Sequence, residues 1–338
     1  MGRYLNSSTS YVLYKGQTEQ PYFVDKSQML SELFPFLDSG NTHICITRPR
    51  RFGKTVMANM ITAFLGKKQD SDSIFKSLKI SQNDLYNKYR NQYNVISIDF
   101  SKMPRDCDSY TDYIDRIETN LIRDLRKEYP QIEIYEDDSA ADVLETIFEE
   151  CDQQRFVFVL LFLSNLLKDR SYVQLTYMTG ILPIAKYSSG SELNMFWEYT
   201  MASEAKYNEY FGFTDSEVDQ LYEKYTRNTR EIHISREDLK EWYDGYTTKS
   251  GERMYNPRSV VLALTNNNIG NYWTSSGPYD EIFYYIRQNI DDVQNDLALM
   301  ISGEAVTVKI QEYAAVSMNL TTKNEIFSAM IVYGFLSY

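Results

Sequence analysis

Cysteine and histidine are scarce in this 338-residue chain, with three of the first and two of the second. Cys45, Cys107 and Cys151 are odd in number, far apart and in no metal-ligand spacing, which disfavours both a disulfide framework and a zinc site and fits a reducing compartment. His43 and His233 add too little for a transition-metal centre. Long apolar runs are also missing. The longest, Phe156 to Leu163, falls far short of the ~20 residues that span a bilayer. The opening Met1-Gly2-Arg3-Tyr4-Leu5-Asn6 has no apolar signal core, and Asn6 stands where a myristoylation signal wants Ser or Thr. The expectation is a soluble, cytoplasmic protein with no membrane partner. Positive charge is in deficit too: 35 Lys and Arg against 47 Asp and Glu leave a formal charge of −12. Such a chain repels phosphate backbones as a whole, so any nucleic-acid contact must come from a local patch. There is no internal repeat, and the abundant tyrosine and asparagine are scattered rather than gathered into a disordered tract.

What is present is an alternation of strand and helix patterns. The length suggests two domains, since single cores rarely grow much beyond ~250–300 residues. From Ser27 to Leu37, Met29, Leu30, Leu33, Phe34 and Leu37 recur at helical spacing behind Ser27 as an N-cap. Ile44-Cys45-Ile46 suits a buried strand, and beyond Lys54 a second helical pattern runs to Leu65, with Gly66 as its stop. Val95 to Phe100 reads as a strand, Ser109 to Tyr129 and Ser139 to Gln153 as helices, and Phe156 to Leu160 and Val173 to Met178 as strands, the last ending in Thr179-Gly180. Strands alternating with helices imply an α/β fold with a parallel sheet covered on both faces. Past Phe211 the pattern turns helical, with almost no strand signal. Thr214-Asp215-Ser216-Glu217 and Ser235-Arg236-Glu237-Asp238 resemble capping boxes, and Asn256-Pro257 places a cap and an N1 proline. Asp280 to Gln288 and Lys323 to Tyr333 are further helices, with an extended piece at Val306 to Ile310. The expected division is a nucleotide-binding domain over 1–211 and a mainly helical domain over 212–338, which several helices and one extended piece would allow to be a winged-helix unit.

The segment that carries chemistry is Arg48-Pro49-Arg50-Arg51-Phe52-Gly53-Lys54-Thr55. A strand, a loop, and Gly53-Lys54-Thr55 opening a helix form the arrangement in which backbone N–H groups and a helix N-terminus cradle phosphates. The cradle would be the backbone of Phe52 to Thr55. Lys54 would reach the β- and γ-phosphates of ATP, and Thr55 would place its hydroxyl on Mg²⁺. Arg50 or Arg51 would add charge to the phosphates. The full Walker A pattern wants glycine at position 48, where this chain has arginine. The competing reading of Arg48-Pro49-Arg50-Arg51 is a solvated basic turn or a nucleic-acid patch.

The run from Thr47 to Thr55, preceded by Tyr22-Phe23-Val24-Asp25-Lys26-Ser27, resembles the bacterial AAA-ATPase-like family, in which arginine at the first glycine position is usual. Further matches are Gly2-Arg3-Tyr4-Leu5-Asn6, Tyr177-Met178-Thr179-Gly180-Ile181-Leu182-Pro183-Ile184, Glu241-Trp242-Tyr243-Asp244-Gly245-Tyr246 and Tyr255-Asn256-Pro257-Arg258-Ser259-Val260. The resemblance implies a P-loop NTPase-type sheet, ATP and Mg²⁺ as ligands, and Thr179 as a γ-phosphate sensor. It also implies that the C-terminal part is truncated, because a nuclease-like domain of the PD-(D/E)XK type commonly follows. In that family the strand matching Phe156-Val157-Phe158-Val159 runs into an Asp-Glu pair that would hold Mg²⁺ and polarise water. Here it runs into Leu160-Leu161-Phe162-Leu163, with no carboxylate between Arg155 and Lys168. An internal deletion is inferred, leaving a short helix at Phe162 to Lys168. Asp99 is no substitute, because the family's strand order sets it about three spacings of ~4.8 Å from the phosphate-loop strand.

The leading expectation is therefore an ATP-binding protein with impaired hydrolysis. The alternatives are a regulatory module with a vestigial loop and a helical half that binds a protein partner, and, ranked last, a winged-helix nucleic-acid binder around Glu237 to Leu264. The aromatics Trp242, Tyr243, Tyr246 and Tyr255 are read as packing rather than as a base-stacking surface. Glu237, Asp238 and Glu241 are read as a solvated helix face.

Overall fold

The computed structural model describes residues 2–100, 107, 109–161, 167, 170–181, 195–201, 204–272, 290–308, 322–333 and 336. Two compact units are present: Met1–Ile46, Lys54–Gly180 and Glu192–Trp197 form the first, and Thr47–Gly53, Ile181–Ser191 and Glu198–Tyr338 the second. The second unit takes up again at Glu198, ahead of the 211/212 boundary expected from composition, and it includes the loop at 47–53.

The first unit runs α1 (Ser8–Thr18), α2 (Met29–Ser39), β1 (Thr42–Thr47), α3 (Lys54–Leu65), α4 (Asp72–Phe75), α5 (Tyr86–Tyr89), β2 (Asn94–Asp99), α6 (Tyr110–Glu128), α7 (Ala140–Glu150), β3 (Phe156–Leu161) and β4 (Val173–Gly180). With β5 (Trp197–Tyr199) these strands make a five-stranded sheet in the order β2-β3-β4-β1-β5, with flanking helices. The pairs β2–β3 and β3–β4 are parallel, Asn94 facing Phe156 and Val157 facing Leu175. Phe156 to Leu160 are at most 3 % exposed, as a strand covered on both faces requires. The fold is α/β, and β1 set between β4 and β5 is consistent with a P-loop-type fold.

Local chemistry places the helix starts. Ser109 and Ser139 accept hydrogen bonds from the N–H groups of Asp112 and Asp142, and Asp142 completes a capping box. Along α6, Tyr113, Ile117, Leu121 and Leu125 are buried on one face. Ser27 does not cap α2. Asp25 accepts the Ser27 N–H at 2.8 Å, and the Ser27 hydroxyl accepts from Ile80 N at 3.1 Å, so the helix begins two residues later. Gly66 follows α3 without a left-handed φ. A Cβ there would sit 2.9 Å from the Thr62 carbonyl, so close approach rather than backbone freedom accounts for the glycine. The chain start lies along β2: Asn6 N donates to Val95 O at 2.8 Å and Ser97 N to Tyr4 O at 3.0 Å. The expected helix at Phe162 to Lys168 falls, apart from Leu167, outside the described residues.

In the second unit come α8 (Asp215–Asn228), α9 (Arg236–Tyr243), β6 (Asp244–Thr247), β7 (Arg253–Tyr255), α10 (Pro257–Asn266), α11 (Ile290–Ile301) and α12 (Lys323–Tyr333). Both predicted capping boxes form, at Thr214/Glu217 and Ser235/Asp238, and Asn256 caps α10 ahead of Pro257. The antiparallel β6–β7 hairpin corrects the expectation of almost no strand. Phe213 bridges Tyr255, so one strand residue precedes α8 and α9 and pairs with the second strand of the hairpin that follows them. Val306 to Val308 form no strand, while Lys309 and Ile310 lie outside the described residues, as does the helix expected at Asp280 to Gln288. Among the described residues, no helix is long and apolar enough to cross a membrane.

Candidate functional site

The chain leaves β1 at Thr47, turns through residues 48–53 and enters α3 at Lys54. Two of the turn residues have positive φ, Arg51 at 67° and Gly53 at 85°. A side chain at φ > 0 is strained, so position 53 favours glycine on backbone grounds alone. A Cβ built on Gly53 would meet no atom within 4 Å, so the space in front of the helix N-terminus is open. Lys54 is half-buried and Thr55 exposed at the first two positions of α3. The turn thus leads into the N-terminal end of a 12-residue helix, whose unsatisfied backbone N–H groups and macrodipole suit an anion.

The arginines divide into separate roles. Arg48 is only 2 % exposed, and it is no solvated turn residue. Its guanidinium donates to Thr47 O at 2.7 Å, Tyr199 O at 2.9 Å and Asn208 Oδ1 at 2.8 Å, and it lies 4.9 Å from the centre of the Phe211 ring. Asn208 in turn donates to Glu204 O at 3.0 Å. Arg51 donates to the Tyr272 carbonyl. Arg50 has a buried Nε with no hydrogen-bond partner, while its carbonyl accepts from Asn256 Nδ2 at 3.5 Å. Phe52 is buried with its ring edge-on to Tyr246 at 4.7 Å. Gly212 makes room for it, since a Cβ there would come within 3.1 Å of the Phe52 ring. Arg48, Phe52 and the Arg50 carbonyl thus tie the turn to residues 199–256 of the same unit.

Comparison with known proteins bears on what such a turn is for. Residues 14–162 match the family model described as "Predicted AAA-ATPase". That stretch is similar to the AAA-ATPase-like family. The chain is also similar to an uncharacterized protein in the vnfD 5' region of Azotobacter chroococcum mcd 1, at 22% identity over 279 residues. The match covers 76% of this chain and 51% of that protein, so the chain spans about half the length of the curated relative it matches.

Within the AAA-ATPase-like stretch, β3 carries no acid at any position from Phe156 to Leu161. Residues 162–166 lie outside the described residues, and they too include no Asp or Glu. Asp99 ends β2, three strand positions from β1. Among the described residues, no group of three or more His, Cys, Asp or Glu is arranged to hold a metal ion. The donor set of the turn therefore fits a phosphate group, whereas for Mg²⁺ the turn supplies only the Thr55 hydroxyl. Thr179, outside the matched stretch, lies near the end of β4 beside β1 and is buried. Its hydroxyl donates to Ile46 O at 2.8 Å, which commits its proton to the base of the turn. The aromatic motif divides as well: Tyr243 and Tyr255 are buried and Tyr246 packs on Phe52, but Trp242 is 45 % exposed. Glu237 and Glu241 face solvent, and Asp238 is the acid of a capping box.

Sequence reasoning placed Arg48 in the turn but did not foresee its burial, nor the packing of Tyr199, Asn208 and Tyr246 against the turn. The available signal was the replacement of a small glycine by a large cation at position 48, which implies a specific cavity for the guanidinium.

Proposed function

We propose that the chain binds ATP at the 48–55 turn and hydrolyses it slowly or not at all. The observation that carries this reading is the helix start at Lys54 directly behind a left-handed Gly53 with open space before it. The AAA-ATPase-like match over this stretch supports it. The backbone N–H groups of Phe52 to Thr55 would hold the triphosphate, and Lys54 would neutralise its β- and γ-phosphates. Thr55 would hold Mg²⁺, with most of the remaining ligands coming from phosphate oxygens and water. Arg50, with a desolvated donor and no partner, is better placed to meet an anion than Arg51, which is engaged with Tyr272. Thr179 would act by fixing β4 to the base of the turn rather than by donating to the γ-phosphate.

Slow hydrolysis follows from the missing carboxylates. With no acid on β3, that strand offers no carboxylate to polarise an attacking water, and electrostatic positioning by Lys54 supports binding rather than turnover. ATP turnover by the purified chain is expected to equal that of a Lys54→Ala control. Turnover well above the control would refute impaired hydrolysis.

A second reading has its own observation. The turn is packed through Arg48 and Phe52, so it would keep its shape as a structural element even without nucleotide. In that case the chain would be a regulatory module with a vestigial loop and a protein partner. Calorimetry separates the two, since heat of ATP binding that is lost in Lys54→Ala is incompatible with a vestigial loop. A nucleic-acid role for the second unit is opposed by the exposed acids Glu237 and Glu241 on α9.

A further inference from the structure

The nucleotide reading makes no use of the opening segment Gly2-Arg3-Tyr4-Leu5-Asn6, yet this segment is firmly held. It lies along β2 through a bridge between Leu5 and Ile96, and Asp124 of α6 accepts the N–H groups of Tyr4 at 2.7 Å and Leu5 at 3.2 Å. A Cβ on Gly2 would sit 2.5 Å from the Asp124 carboxyl group, so only glycine allows this approach. Asn6 closes the arrangement with hydrogen bonds to Asn94 and Val95. The result is that Arg3, exposed and pinned at its backbone, stands beside α6.

There it lines a cleft of about 380 Å³ with Arg116, Thr119, Asn120 and Arg123. The four α6 residues are spaced at i, i+3, i+4 and i+7, which places them on one stripe of the helix. The neutral members are committed locally: Thr119 Oγ1 donates to Asp115 O at 2.8 Å, and Asn120 Nδ2 donates to Arg116 O at 2.7 Å. Among the described residues no acid lines the cleft, and no carboxylate of those residues forms an ion pair with Arg3 or Arg123. Two exposed guanidiniums, Arg3 and Arg123, always charged and able only to donate, thus share the cleft with Arg116, which also donates to Cys107 Sγ at 4.0 Å, in a protein whose acids outnumber its bases by 47 to 35. Arg3 and Arg116 both act on the Tyr4 hydroxyl, lowering a pKa that burial raises, which puts their charges within reach of one group.

We propose that this cleft binds a small, soluble polyanion carrying two or more phosphate groups. The volume falls in the range of small-molecule sites, roughly 300–1,000 Å³. Guanidinium forks match phosphate oxygens in geometry and charge, and a bound polyanion would pair with the exposed Arg3 and Arg123. The site is separate from the 48–55 turn: α6 follows β2, the sheet's edge strand, three positions from β1. An extended nucleic acid would need a longer basic track than one helical stripe within a chain of charge −12.

The test uses the full chain carrying Lys54→Ala, so that the turn does not contribute, titrated with inorganic tripolyphosphate by calorimetry. Saturable binding at one site is expected. Arg3→Gln and Arg123→Gln should each weaken it about fivefold or more, with unchanged melting temperatures because both side chains are exposed. Lys76→Gln, an exposed base outside the cleft, should leave affinity within about twofold, as a remote surface charge does once screened. Absence of binding by the Lys54→Ala parent, or equal affinity in Arg3→Gln and Arg123→Gln, would overturn the proposal. So would an equal loss in Lys76→Gln, which would mean diffuse attraction, or a single-stranded oligonucleotide that outcompetes tripolyphosphate.

Discussion

Replacing Arg48 by glycine, the residue that the full Walker A pattern has at this position, is expected to damage the protein rather than to improve its loop. The guanidinium makes two long-range hydrogen bonds, to Tyr199 O at 2.9 Å and Asn208 Oδ1 at 2.8 Å, in a site where Arg48 is 2 % exposed. Hydrogen bonds from a charged donor contribute roughly 1.5–3 kcal/mol each, and truncation leaves the buried Asn208 Oδ1 and the part-buried Tyr199 carbonyl without this donor. Loss of the cation from the face of Phe211 adds about 0.5–2 kcal/mol. Allowing for partial relaxation, Arg48→Gly should cost about 3–5 kcal/mol, and at ~2–4 °C per kcal/mol in a unit of this size the melting temperature should fall by roughly 6–20 °C. Arg48→Lys, which keeps the charge but not the fork, should fall between. Urea titration followed by circular dichroism measures the change, and a cycle pairing Arg48→Ala with Asn208→Ala should show coupling of about 1–2 kcal/mol. If Arg48→Gly melts within about 2 °C of the parent, where ordinary surface substitutions fall, the anchoring role is wrong.

Further perturbations probe the remaining links. Gly53→Ala meets no atom, so its cost should be only that of forcing φ to +85°, about 1–2 kcal/mol, together with loss of ATP binding; undiminished affinity would contradict the cradle. Thr179→Val removes the buried donor to Ile46 O and should lower stability by about 1–2 kcal/mol in urea, with Thr179→Ser retaining most of it. The Asp215 carboxyl is held below its ordinary pKa first by the Tyr255 hydroxyl and then by Arg236, at 2.5 and 2.6 Å. A lowered acid pKa stabilises the fold above the unfolded value of about 3.9, and this stabilisation is lost as pH falls through the lowered folded value. Tyr255→Phe should therefore flatten the acid arm of a plot of urea midpoint against pH below about 4. An acid arm identical to the parent's would count against that hydrogen bond.

The parts of the fold legible in the sequence are those decided within a few residues. Ser109, Ser139, Thr214, Ser235 and Asn256 all cap helices because each side chain reaches an N–H three residues ahead or fewer. Ser27 has the same chemistry nearby, but Asp25 takes its N–H and Ile80, 53 residues away, takes its hydroxyl. The hairpin β6–β7 escaped notice because its strands are three or four residues long and one contains Gly245. Helix α1 buries only Ser10 and Tyr14, too little apolar surface to leave a periodic signal. At the candidate site the strand, the turn and the helix start could be read from Ile44 to Leu65. The fate of Arg48 could not, because its partners stand 151 and 160 residues away and no local pattern points to them.

The account turns on whether an anion seats itself before Lys54, and titration of the purified chain with ATP addresses this directly. Saturable binding in the parent, absent in Lys54→Ala with folding intact, is the predicted result. A parent that gives no heat and no competition with any nucleoside triphosphate would show that the turn between β1 and α3 is a structural joint and nothing more.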